Sequence, residues 1–151
     1  MPSHLNRAEA IAAASAAIGL AVAFLPWYGY TVAGSHVTFN AFRASLLGDL
    51  FYLAIALTIL LLLIGRGFLD DVITPYVPET TAYAGAAALA VGSVLIQMIL
   101  ATATGRSLGV GIFLGLLAAA GLCAASVFRR MHPDRRRIVR DTLAQGPRIT
   151  P

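Results

Sequence analysis

The chain has 151 residues, of which 58% are hydrophobic and only 12% charged, and its mean hydropathy is +0.79. Soluble domains average roughly 45–50% apolar and about 25% charged residues, so this composition excludes an ordinary water-soluble domain and points to an integral membrane protein. The formal charge of +4 comes from arginines clustered beside an apolar run, which makes lipid headgroups the nearer anion and sets nucleic acid aside.

Segments 10–26, 50–65, 82–103 and 108–128 contain no Asp, Glu, Lys or Arg, and all eleven basic and seven acidic residues lie between or beyond them. The chain therefore alternates between two solvents. Crossing a hydrocarbon core of ~30 Å takes about 20 helical residues, and inside lipid every backbone N–H and C=O has to be satisfied within its own segment. The pattern predicts an all-α integral membrane protein, a four-transmembrane-helix bundle with spans over 9–27, 49–66, 81–103 and 107–128. The pieces between spans are too short to fold alone, so residues 1–128 form one membrane domain and 129–151 a basic tail.

The first run resembles a secretory signal in having Arg7 before it and Ala21-Val22-Ala23 near its end. It is longer than a typical signal core and continues into Phe24, Leu25, Pro26 and Trp27, so it reads as a retained span. The next segment, Trp27 to Phe39, carries β-branched and aromatic residues on either side of Ala33-Gly34-Ser35 and suits a short hairpin. Asn40 is placed to cap a short amphipathic turn, Ala41 to Leu47, before Gly48 and Asp49 open the second span. Span two, particularly Leu57 to Ile64, is short of small residues and reads as lipid-facing. Pro75 and Pro78 interrupt any helix running from span two into span three. Thr104 to Ser107 is a tight turn that makes spans three and four adjacent antiparallel helices. Pro133 ends the last span and begins a short helix from Asp134 to Ala144.

Helices in lipid associate through close approach at small residues. Ser15, Gly19 and Ala23 in span one, Ala88 and Gly92 in span three, and Gly111, Gly115 and Ala119 in span four each form a small-residue stripe at four-residue spacing. Such stripes also arise by chance in alanine-rich helices, but three in one small chain favour a compact bundle. No Asp, Glu, Lys, Arg or His falls in the middle of a span, which removes the titrating relay that proton-coupled transport uses. Gln97 is the strongest intramembrane polar side chain, with Ser93 one turn before it and Thr58 as a cross-helix partner, and an interhelical hydrogen bond accounts for it more simply than a substrate site. Trp27, Tyr28 and Tyr30 read as an aromatic belt at the membrane interface. A lone His36 has no second metal-ligating residue at a useful spacing, and the single cysteine, Cys123, reads as a small packing residue. Catalytic motifs and cofactor-binding loops are absent from the sequence, so neither an enzyme nor a cofactor is expected.

Arg129, Arg130, Arg135, Arg136, Arg137 and Arg140 follow the last span directly and read as contacts to anionic lipid headgroups as well as topological anchors. Counting arginines by side gives nine against two for an inside amino terminus, so both termini are expected in the cytoplasm of a bacterial cell, its origin suggested by basic residues that are all arginine.

Leu25-Pro26-Trp27 at the end of the first span, Asn40-Ala41-Phe42 before the second, Gly109 to Gly115 in the last, and Arg129-Arg130 after it occur in an order that resembles a loose group of small four-span membrane proteins of actinobacteria. The resemblance implies a topology without an activity. The expected function is that of a small non-catalytic accessory or scaffold subunit, surrounded by the lipid bilayer and bound to a membrane-protein partner or to further copies of itself. The alternative is a small channel or transporter, active as a homo-oligomer with Gln97 on its path.

Overall fold

A computed structural model describes residues 6–44, 46–65 and 79–131. The described chain is mostly helical, in the order α1 (Arg7–Val22), β1 (Pro26–Val32), β2 (Ser35–Asn40), α2 (Ala41–Ala44), α3 (Leu46–Gly65), α4 (Glu79–Ala103), β3 (Ser107–Leu108) and α5 (Val110–Met131).

Three helices are long and apolar enough to cross a membrane, over Leu46–Gly65, Thr80–Ala103 and Val110–Met131. The described residues thus give three such helices where the charge pattern led us to expect four. The difference lies in α1, which has 16 residues and spans about 24 Å. Pro26 and Trp27, expected to finish the first span, instead begin β1. Proline disfavours helix in the residue before it, and the chain leaves α1 through turn bonds from the Phe24 N–H to the Ala21 carbonyl and from the Leu25 N–H to the Val22 carbonyl.

The helices close into a ring of contacts: α1 lies against α5 and α3, and α4 packs against both α3 and α5. The middle of the ring is filled by Trp27, Phe51, Ile55, Val94 and Ile112, none of which is exposed. A second cluster, Ala12, Leu61, Tyr83 and Ala125, closes the opposite end. Along α4 the buried residues include Tyr83, Ala87, Ala90, Val94, Gln97 and Ala101, flanked by the equally buried Ala86 and Ser93. This alternating four-three spacing is that of a bundle seam. On α3 the buried residues Phe51, Ala54 and Ile55 precede the Leu57–Ile64 segment, within which only Thr58 and Leu61 are buried and Leu60 and Leu63 are exposed.

At one end of the bundle sits a three-stranded sheet in the order β2-β1-β3. The expected hairpin is present as β1 and β2, with Val32 opposite Ser35 and a two-residue turn between them. Ala33 at φ 49° and Gly34 at φ 80° give the two positive φ values of a type I′ turn, whose twist matches that of the strands. The third strand was not expected. Ser107 and Leu108 pair with Gly29 and Tyr28, directly after a helix ending in which the Gly105 N–H reaches the Thr102 carbonyl and the Arg106 N–H reaches the Ala101 carbonyl. These two bonds define a Schellman ending, with Gly105 in the left-handed region at φ 68°. The Asn40 cap is also present: its Oδ1 accepts the Arg43 N–H at 3.2 Å.

Candidate functional site

Two constructions concentrate the distinctive chemistry of the chain, one at the sheet end of the bundle and one at the opposite end. At the sheet end, β1 carries one residue more than β2 between the pairs Pro26–Asn40 and Tyr28–Phe39. The extra residue is Trp27. A bulge breaks the strict alternation of strand side chains, and here it allows consecutive residues, Trp27 and Tyr28, both to be buried. The Trp27 indole N–H donates to the Val22 carbonyl at 3.0 Å, an acceptor in the last turn of α1 that it shares with the Leu25 N–H. Its ring meets Phe51 edge-on at a centroid distance of 5.3 Å.

The third side of the indole is glycine. A Cβ on Gly111 would lie 2.5 Å from Trp27 Cδ1, one on Gly115 would lie 3.2 Å from the far edge of the ring, and one on Gly109 would run into the Pro26 carbonyl oxygen. The glycine face of α5 is therefore a slot for one indole. The Gly109 N–H donates to the Trp27 carbonyl at 2.7 Å and the Ser107 hydroxyl to the Gly29 carbonyl at 2.9 Å. The guanidinium of Arg106 lies 5.5 Å above the Tyr28 ring. Trp27 and Tyr28 thus form a plug inside the bundle mouth, whereas Tyr30 is 40% exposed and stacks on Phe39 at 5.4 Å. Of the three aromatics assigned to an interfacial belt, only Tyr30 is exposed, because bulge and slot draw the other two inward.

The stripes divide in a similar way. Ser15, Gly19, Ala23, Gly111, Gly115 and Ala119 are all buried. Gly19 faces Ile55 across the α1–α3 contact, its Cβ position 2.5 Å from Ile55 Cδ1. Ser15 faces Gly121, a residue outside the stripe recognised in the sequence, where an added Cβ would meet the Ser15 hydroxyl. Ala88, however, is exposed and Gly92 has no atom within 4 Å of a Cβ position. Helical rotation explains this: Ala88 lies one residue past the buried seam position Ala87, about 100° around the helix.

The intramembrane polar residues Thr58, Ser93 and Gln97 are all buried, Gln97 at 2% exposure. The Thr58 hydroxyl donates to the Ala54 carbonyl of its own helix at 2.9 Å. Ser93 likewise donates to the Ala90 carbonyl at 2.9 Å. Hydroxyls bonded to the preceding turn are an inexpensive way to bury Ser and Thr in a helix.

At the opposite end, Arg129 Nη2 lies 3.4 Å from Glu9 Oε1, and the same guanidinium sits 4.2 Å over the Tyr83 ring. Glu9 Oε2 also accepts the Asn6 N–H at 3.3 Å. The clamp ties the first turn of α1 to the last turn of α5 and the first turns of α4. It redirects Arg129, which the sequence suggested as a headgroup contact, onto protein partners. Arg130 is exposed, and Arg135, Arg136, Arg137 and Arg140 lie outside the described residues. Glu9 and Tyr83 were not singled out in the sequence; the signal was that Glu9 and Arg129 border the first and last spans on the same expected side.

Along the outside of the bundle, an apolar groove of about 340 Å³ separates α1 from α3, lined by Ala13, Ala16, Ala17, Leu20, Ile59, Leu62 and Leu63. No protein-family model, curated protein or solved structure matches the chain.

Proposed function

We propose that this chain is a four-span protein of the bacterial cytoplasmic membrane, with α1 as the fourth crossing and both termini in the cytoplasm, acting without catalysis as an accessory or scaffold subunit. The case for α1 rests on its exposed positions from Ala10 onward: Ala10, Ala14, Ala17, Ile18, Leu20 and Ala21 are all apolar. A face of that kind needs the same solvent as the exposed leucines of α3. A 16-residue helix is accommodated when flanking residues snorkel or the bilayer thins locally, each at modest cost, and Arg7 stands at the end where snorkelling is needed.

The observation that carries the functional reading is the contrast between inside and outside. The interior of the single chain is filled by Trp27, Phe51, Ile55, Val94 and Ile112, while the α1–α3 groove leaves small alanines open on the outer wall. Close approach at such residues is how helices pair in lipid, so the work of the protein is assigned to its surface. Purification from native membranes in mild detergent, with mass measurement and proteomics on the same sample, tests it. The expected result is a stoichiometric partner that is lost on Ala17→Phe, with the bundle still folded. A homo-oligomer free of other proteins refutes the accessory role and favours the channel alternative.

A further inference from the structure

A second recess, of about 330 Å³, opens at the sheet end between Phe24, Pro26, Thr38, Asn40 and Arg43. We propose that it holds the phosphate of an anionic phospholipid headgroup, an inference that rests on the membrane reading above but not on the accessory role. Its polar side chains are those of Thr38, Asn40 and Arg43. The Asn40 amide oxygen is committed to the Arg43 N–H, which leaves the amide NH₂ for a ligand. Arginine has only donors, and the Thr38 hydroxyl supplies one more. No carboxylate among the described residues pairs with Arg43. Arg106, the other arginine between the expected spans on this side, is laid over Tyr28. A guanidinium and two further donor groups lining one recess suit an acceptor-rich anion, and planar guanidinium geometry matches phosphate oxygens.

The surroundings identify the class of molecule that carries the anion. Phe24, in the recess wall, is 74% exposed, and its ring lies 5.8 Å from that of Phe42, itself half-exposed. A phosphate site bordered by exposed apolar side chains matches a lipid, whose acyl chains cover what a free phosphate leaves bare.

The test uses the full-length protein in non-ionic detergent, with stepwise adducts of phosphatidylglycerol and of phosphatidylcholine with matched chains counted by native mass spectrometry. Arg43→Gln keeps the backbone N–H that Asn40 caps, so α2 is retained. The first phosphatidylglycerol adduct is expected to weaken about fivefold, equivalent to the ~1 kcal/mol that one arginine contributes near an anionic surface. Arg130→Gln, at the far end of the bundle, is expected to leave that adduct unchanged. Thr38→Val, expected to weaken it about twofold, provides the reading if Arg43→Gln fails to fold by Trp27 emission. Equal phosphatidylglycerol binding by the wild type and both recess variants overturns the proposal, as does a loss caused by Arg130→Gln instead. Displacement of the adduct by inorganic phosphate assigns the recess to free phosphate and overturns the lipid. A protein that stays soluble without detergent and takes up neither lipid refutes the membrane reading itself.

Discussion

Gly92 and Gly111 are equivalent in the sequence, each part of a small-residue stripe, yet the structure gives their alanine variants opposite signs. At Gly111 the new Cβ would sit 2.5 Å from Trp27 Cδ1, 2.9 Å from the Pro26 carbonyl oxygen and 3.0 Å from Trp27 Nε1. Neither neighbour yields easily. The carbonyl is backbone, and the indole is pinned by its bond to Val22, by Phe51 and by the Gly115 face behind it. Overpacking of this kind costs about 1–3 kcal/mol. At Gly92, in the middle of α4, nothing lies within 4 Å, and alanine is preferred to glycine in a helix interior by about 1 kcal/mol. The two variants are therefore expected to differ by about 2–4 kcal/mol, with Gly92→Ala at or above the wild type. Unfolding in mixed micelles of rising dodecyl sulfate fraction, followed through Trp27, the single tryptophan of the chain, measures both. Equal destabilisation of the two variants, or a Gly111→Ala protein as stable as the wild type, refutes the slot and the seam on which the argument rests.

Four further outcomes are expected. Glu9→Gln and Arg129→Gln each cost about 1–2 kcal/mol; a double-mutant cycle with less than a few tenths of coupling energy shows that the contact holds nothing together. Ala33→Gly relieves a positive φ at the hairpin turn and stabilises by about 1 kcal/mol, whereas Ala33→Val destabilises; slower amide exchange across β1 and β2 in the glycine variant is the check. Ser107→Ala removes the hydroxyl that donates to the Gly29 carbonyl and costs about 1 kcal/mol, while Thr58→Val, whose lost bond is local to its own helix, costs less in the same unfolding assay. In a Cys123→Ala background, which leaves no other cysteine, Ser35→Cys is labelled from outside intact cells and Arg130→Cys only after permeabilisation; the reverse pattern inverts the proposed topology.

The helices were legible because charge is an absolute signal in a chain that changes solvent. Segments free of Asp, Glu, Lys and Arg place α3, α4 and α5 to within a few residues, and a turn pair such as Ala33-Gly34 marks a hairpin from local backbone preference alone. The end of α1 was not legible, because Phe24, Leu25 and Trp27 are as apolar as the helix before them and hydropathy does not register a proline-induced exit into a strand. Nor did spacing reveal which small residues pack. Ala88 and Gly92 repeat every four residues like Gly111 and Gly115, but a stripe records only that close approach is possible on that face.

By itself, the sequence determined which stretches avoid charge, where the chain must turn, and that its arginines collect after the last apolar run, all consequences of local composition. Only the tertiary structure decided that the Trp27 indole leaves the rim for a glycine slot on α5, that residues 107–108 add a strand to a hairpin far away in the chain, and that Arg129 closes on Glu9 and Tyr83. Each of these depends on a bulge, a helix rotation or a distance between segments remote in sequence, and none of those quantities is encoded in the hydropathy of any one segment.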